Sequence, residues 1–485
     1  MRGIRPGPAS GRVSRAVIFV KSGRRTNPHL FHCWHTNMTH EVDKSAGGAD
    51  LAENASAPID TAPMITRTTS FSRTLSAGQR SNLPSMIDTT DSPHKAPTNV
   101  APRPCLNLCL SPLPTKWNIG TGRLRYLTLA LSLMLFAALH GARAEPVFKA
   151  GVMTRNFVPA EPYDWRGAKT RALRAMIWYP AGAGAREETQ WFGLPLIPYF
   201  SAGSAAPDAA PLVGTRRPLI LLSHGFGGTA SGLGWLGAAL AAHGFIAVAV
   251  DHPGNNALED STVEGSSLFW LRAVDLSAAI SAILDDKIFG SQIDAARIGA
   301  AGHSLGGYTV VAAAGGITEP EQLEAFCRSA AADALCKPPP EISDMRRRRL
   351  ARLSSDADFR QRYSRAHNSY RDERLRAIFA MAPGLGPIFT LESLGKISIP
   401  VGIVTGGADE ITPPSSGAEA LAKAIPHASL KIFPHAGHYV FLGSCTWFGR
   451  VALGVPCVDP DRTDRVAVQA DTIRIAVDFF TANLR

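Results

Sequence analysis

The chain lacks an excess of charge of either sign where it reads most like a folded protein. Residues 145–485 hold 33 Lys and Arg against 33 Asp and Glu, whereas residues 1–144 hold 17 against 7. The formal net charge of +10 therefore belongs to the N-terminal segment. A balanced domain carries no electrostatic footprint for a polyanion, so no nucleic-acid partner is expected. The sequence also has no H-E-x-x-H, no CxxC pair, no phosphate-binding loop and no dinucleotide fingerprint. Neither a metal nor an organic cofactor is expected. Cysteine is scarce, with seven in 485 residues; Cys33, Cys105 and Cys109 precede residue 145, and Cys327, Cys336, Cys445 and Cys457 follow it.

Residues 1–121 are rich in Ser, Thr, Pro, Arg and Asn and have few periodic apolar runs, which reads as disorder or a misassigned N-terminal extension. His29, His32, Cys33 and His35 have metal-like spacing but no second group of ligands at a matching distance, and read as chance. Residues 122–144 have the parts of a secretory signal peptide. Arg123 and Arg125 precede the 14-residue apolar run Tyr126–Leu139, and Ala142-Arg143-Ala144 supplies a small-residue cleavage site. The run is short for a membrane span of about 20 residues. Cleavage after Ala144 is expected, with a periplasmic or secreted product and a true start well downstream of residue 1. An oxidising compartment and four remaining cysteines predict two disulfides. Of the three possible connectivities, the local pairs Cys327–Cys336 and Cys445–Cys457 need only short loops. The second pair is expected to matter more for activity, because it follows His438 by seven residues.

Residues 145–485 alternate short apolar strands with helical patterns. Strands are expected at Arg171–Tyr179, Leu219–Ser223, Phe245–Val250, Ile298–Gly302, Ala377–Ala382, Val401–Thr405 and Leu430–Phe433. Helices are expected at Leu233–His243, Ser267–Leu284, Leu305–Ala314 and Thr463–Leu484. This rhythm predicts an α/β domain, a mostly parallel sheet covered on both faces, with its site beyond the C-terminal strand ends. Residues 317–376 break the rhythm and read as a helical insertion. It is either a lid or a surface excursion whose Arg346–Arg349 run is a solvated face.

Gly302-His303-Ser304-Leu305-Gly306 matches G-x-S-x-G between an expected strand and an expected helix, which is the context the motif requires. Ser304 is the candidate nucleophile, at a helix N-terminus where negative charge is favoured. A hydroxyl needs a base, and a base needs an acid to fix its tautomer. His438, after the last strand and preceded by Gly437, is the candidate base, with His435 as its rival. Asp409 is the candidate acid, with Glu410 beside it. His224-Gly225-Phe226-Gly227-Gly228 follows an earlier strand, where glycines let the main chain approach an oxyanion. The backbone N–H groups of Phe226 and Leu305 are the expected donors. His224, Gly225, Gly227, His252 and Tyr439 are expected on the substrate rim.

With these residues in view, the stretch from about 150 to 485 resembles the bacterial predicted dienelactone hydrolases and the related platelet-activating-factor acetylhydrolases. The resemblance rests on Leu222-Ser223-His224-Gly225-Phe226-Gly227-Gly228, Asp251-His252-Pro253-Gly254, Gly302-His303-Ser304-Leu305-Gly306-Gly307 and the Asp409/His438 pair. It implies the α/β-hydrolase fold and ester hydrolysis. Two departures bear on the substrate. Dienelactone hydrolases use a cysteine nucleophile, and the acetylhydrolases carry their acid one strand earlier, where this chain has Pro383-Gly384-Leu385-Gly386. The function expected is cleavage of a small-molecule or lipid ester through an acyl-serine. The alternative is an inactive exported binding protein on the same fold.

Overall fold

The computed structural model describes residues 148–194 and 196–485. The expectations for residues 1–144 (extension, His/Cys cluster, signal peptide and cleavage after Ala144) lie outside the described residues. Eleven strands form the sheet: β1 (Lys149–Phe157), β2 (Leu173–Ala181), β3 (Glu188–Leu194), β4 (Ile197–Pro207), β5 (Arg217–Ser223), β6 (Ile246–Val250), β7 (Ile293–His303), β8 (Leu375–Met381), β9 (Val401–Gly406), β10 (Ala428–Phe433) and β11 (Ser444–Cys445). Their order is β10-β9-β8-β7-β5-β6-β2-β1-β4-β11, with β3 paired to β4. From β6 through β5, β7, β8 and β9 to β10 every pairing is parallel, whereas β2 runs antiparallel to both its neighbours.

Parallel neighbours need crossovers, which the helices supply. They are α1 (Gly234–Ala242), α2 (Val263–Ser267), α3 (Leu271–Leu284), α4 (Leu305–Ala313), α5 (Pro320–Arg328), α6 (Pro340–Ser355), α7 (Ala357–Tyr363), α8 (Leu391–Gly395), α9 (Ala418–Ala424), α10 (Trp447–Leu453) and α11 (Arg465–Asn483). Successive residues of a strand face opposite sides, so a strand buried on both must be apolar throughout. In β6, Ile246, Val248 and Val250 pack into the layer that holds α3, while Ala247 and Ala249 pack into the layer that holds α1 and α11. This is the expected α/β-hydrolase fold.

Several expectations need correction. The helix expected over Ser267–Leu284 begins at Leu271, as α3, and Ser267 is instead the last residue of the short helix α2. Leu268, Phe269 and Trp270 are all buried, and three consecutive residues cannot share one helical face. The first strand, β1, and the β3–β4 hairpin were not anticipated. Gly193, Pro198 and Gly203 within the hairpin weaken its strand signal. The insertion is helical, as expected, but ends before Leu375, where β8 begins. Among the described residues no helix is long and apolar enough to cross a membrane.

Candidate active site

Ser304 lies in the turn from β7 into α4, with φ 58° and ψ −118°. A non-glycine residue there costs on the order of 1–3 kcal/mol, and its surroundings must enforce the conformation. The chain closes so tightly that a Cβ at Gly302 would lie 2.1 Å from the Gly306 carbonyl oxygen, and one at Gly306 would lie 1.8 Å from that of Ser223. This crowding is why the motif needs glycine on both sides. The Ser304 N–H donates to the Met381 carbonyl at 2.9 Å, and the Gly384 N–H donates to the Ser304 carbonyl at 3.0 Å. These bonds pin the turn against β8 and leave the side chain half exposed.

The three residues expected to act together are together. Ser304 Oγ is 2.9 Å from His438 Nε2, and His438 Nδ1 is 2.8 Å from Asp409 Oδ2. The arrangement has Nδ1–H donating to the carboxylate and Nε2 accepting from the serine hydroxyl. His438, not the exposed His435, is the histidine between them. Glu410 is exposed and faces the cavity described below, while Asp409 turns inward. Burial works against the Asp409 charge. The facing His438 and hydrogen bonds from His438 and Thr412 outweigh it, holding the carboxyl below its usual range.

Two supporting residues were missed. Thr412 Oγ1 donates to Asp409 Oδ2 at 2.9 Å, and the Ile411 and Thr412 N–H groups donate to Oδ1 at 2.9 and 2.7 Å. The Asp-x-x-Thr spacing is the signal that was available, since a short polar side chain captures the N–H groups that follow it. His303 is buried and neutral, its pKa drawn down to about 3 by burial. Its Nε2 donates to the His438 carbonyl at 3.2 Å. A histidine at the first x of the motif thus holds the loop of the partner histidine.

The 224–228 loop lies beside Ser304. A Cβ on Gly225 would sit 3.2 Å from that of Ser304, and Gly227 has φ +61°. Among the described residues no group accepts from the N–H of Phe226 or of Leu305, the first residue of α4. The rim expected around His224 and His252 is not there. Both histidines are fully buried, and neither lines the cavity over Ser304. The reason is that the 251–257 segment supports the loop from behind. The Asp251 carboxylate accepts from the Ala230 N–H at 2.7 Å, and the Ala257 N–H donates to the Gly228 carbonyl at 3.0 Å. Gly225 and Gly227 shape the loop without lining the cavity, and Tyr439 packs edge-on to the His438 ring with centroids 5.3 Å apart.

A cavity of about 170 Å³ holds Ser304, Leu305 and Phe226 in its wall. The insertion contributes Leu323, Ile342, Met345 and Arg349, and both Cys327 and Cys336, so it stands over the site and is more than a surface excursion. Arg346 and Arg349 of the arginine run face this cavity. The cysteines pair as Cys327–Cys336 and Cys445–Cys457. Of the two pairs, the first lines the cavity and the second does not. The second packs with Phe200 and Leu453, under α10.

The fold is that of the α/β-hydrolases, and the model of the alpha/beta hydrolase family matches residues 219–448, somewhat under half of the chain. It is similar to cutinase est2 of Thermobifida alba, 37% identical over 90 residues, which are 18% of this chain and 27% of that one. It is also similar to cutinase 2 of Thermobifida cellulosilytica, 32% identical over 90 residues, 18% of this chain and 30% of that one. The chain thus spans under a third of the length of these relatives. A solved ferulic acid esterase from Streptomyces cinnamoneus aligns over 71% of this chain and 92% of its own, with 21% identity and a TM-score of 0.48.

Proposed function

We propose that the chain is a serine hydrolase of carboxylic esters. The observation that carries this reading is a strained serine, open to a cavity, whose Oγ lies 2.9 Å from a histidine that is itself bonded to a buried carboxylate. His438 takes the Ser304 proton as Oγ attacks the ester carbonyl carbon. The N–H groups of Phe226 and Leu305 receive the negative charge that develops on the carbonyl oxygen. The protonated His438, stabilised by Asp409, gives its proton to the departing alkoxide and leaves an acyl-serine. Water then attacks, His438 takes its proton, and the acid leaves as Ser304 regains the proton.

The substrate on this reading is a small ester, and the insertion acts as a lid that screens the acyl-serine. The family resemblance allows a short-acyl or lipid ester, and the names of the matched relatives keep polymer-derived esters in view. Export to the periplasm or beyond is part of the proposal, supported by the two cysteine pairs. Turnover of p-nitrophenyl esters of increasing acyl length by the full chain tests the activity and ranks the substrates. No turnover on any of them, nor on a phospholipid ester, would leave the reading without support. N-terminal sequencing of the protein recovered from an exporting host tests cleavage after Ala144.

A further inference from the structure

Behind the 224–228 loop sits a set of buried charged and polar side chains, with the half-buried Tyr163 at its edge, that the Ser304 relay does not use. Arg166 Nη2 donates to both oxygens of Asp275, at 2.9 and 2.7 Å, and Tyr163 OH donates to the same carboxylate. His252 Nδ1 donates to Asp275 Oδ2 at 2.7 Å, and its Nε2 accepts from Ser223 Oγ at 2.9 Å. Asp275 is thereby matched by Arg166. Arg272, equally buried, has no carboxylate of its own. Its Nη2 donates to the His224 carbonyl, and its Nε and Nη1 have no partner among the described residues. Burial draws the Arg272 pKa down to about 9, with Asp275 opposing, so it is charged at neutral pH. The cluster therefore keeps one unmatched positive charge behind the loop. A buried cation without a counter-ion is expensive. Such an expense calls for a function.

The bonds of His224 show where that function lies. The His252 N–H donates to His224 Nε2 at 3.2 Å, which puts the His224 proton on Nδ1. Nδ1 then donates to the Gly225 carbonyl at 2.7 Å, and the Gly228 N–H adds a second bond to that oxygen at 3.2 Å. Both rings are neutral, since burial, and then the nearby Arg272, push them well below the usual imidazole range. The Gly225 carbonyl and the Phe226 N–H are the two ends of one planar trans peptide and point in opposite directions. Pinning the first aims the second.

We propose that Arg272 and His224 are positioning residues for the oxyanion site: His224 fixes the Gly225–Phe226 peptide, and Arg272 holds His224 by its carbonyl and places a positive charge behind it. The array Ser223–His252–Asp275 is the frame of this device and not a second active site. The inference rests on the reading of the Phe226 N–H as an oxyanion donor. A fixed charge in a water-poor interior acts most strongly when the oxyanion forms, so its loss lowers kcat more than it raises KM.

The test uses the full chain, with p-nitrophenyl acetate as substrate and an alkyl boronic acid as a mimic of the tetrahedral adduct. Arg272→Met is expected to lower kcat by about ten- to a hundredfold with KM within about threefold, below the full cost of losing an oxyanion donor. Boronic acid binding should weaken by a similar factor, while Tm does not fall in proportion, because an unmatched buried charge has been removed. Arg272→Lys should recover most of kcat. His224→Phe should behave like Arg272→Met, and His224→Asn, whose amide takes the place of Nδ1, should return kcat to within about fivefold of wild type. Should Arg272→Met fail to fold, the His224 pair decides. Wild-type kcat in His224→Phe, or equal losses in His224→Phe and His224→Asn, would overturn the inference and leave the esterase reading intact. Absence of ester turnover by the wild type would instead remove the esterase reading, and the inference with it.

Discussion

Among the described residues, two Ser-His-Asp arrays have nearly the same geometry. Ser304–His438–Asp409 has contacts of 2.9 and 2.8 Å, and Ser223–His252–Asp275 has contacts of 2.9 and 2.7 Å. Distances do not tell them apart; surroundings do. Ser304 sits at a positive φ and faces a cavity, whereas Ser223 ends an ordinary strand and is sealed. Asp409 is held below the usual carboxylate range, chiefly by His438 against burial, while burial pushes Asp275 upward against the pull of Arg166. On the proposed function, a relay is made into a site by strain, access and oxyanion donors. The same three side chains without them are a frame.

The largest expected effects separate the two serines. Ser304→Ala should lower kcat by several orders of magnitude with the fold intact. Ser223→Ala should change kcat by less than about tenfold, yet lower stability by about 1–3 kcal/mol, because His252 Nε2 loses its buried donor. Steady-state kinetics and urea melts of both variants check this, and comparable losses of activity would erase the distinction. Next in size, His438→Ala should cost about a thousandfold or more, and exposed His435→Ala less than about threefold. A dead His435→Ala beside an active His438→Ala would reverse the choice of base.

Smaller effects test the regions around the open array. Removing either disulfide should cost roughly 2–3 kcal/mol by the loop-entropy model. Paired Cys→Ala changes at 327 and 336 should also raise KM, because both residues line the cavity. Changes at 445 and 457 should leave KM within about twofold, as read from the same kinetics and melts. The smallest effect is one of pH. The Asp409 carboxyl is depressed in the folded state, so its contribution is fully present above the unfolded carboxylate value of about 4 and is lost as pH falls through the folded one. Asp409→Asn should therefore flatten the decline of stability with acid.

Much of the open array was legible because each member carries a local constraint. Ser304 needs glycines at 302 and 306, and His438 follows the strand β10. The buried array was not legible. Asp251-His252-Pro253 announces a strand end but does not say that the His252 ring folds back under the loop, and Asp275 sits mid-helix, where a carboxylate reads as solvated. Arg166 is farther still, in an irregular stretch whose link to α3 exists only in three dimensions. The strands β5 to β9 were legible through short, mostly apolar runs, whereas the partly exposed β3–β4 hairpin has no such run. The insertion was recognisable as a break in rhythm, but its place over Ser304 depends on packing.

The most direct measurement of the central claim is covalent. Full-length protein treated with diisopropyl fluorophosphate, then digested and mapped by mass spectrometry, reports which serine is the activated nucleophile. The account predicts one phosphoryl group per chain, on the peptide that carries Ser304, with the Ser223 peptide unmodified and p-nitrophenyl acetate turnover lost in step. An adduct on Ser223, or retention of full turnover by a chain labelled on Ser304, would contradict it.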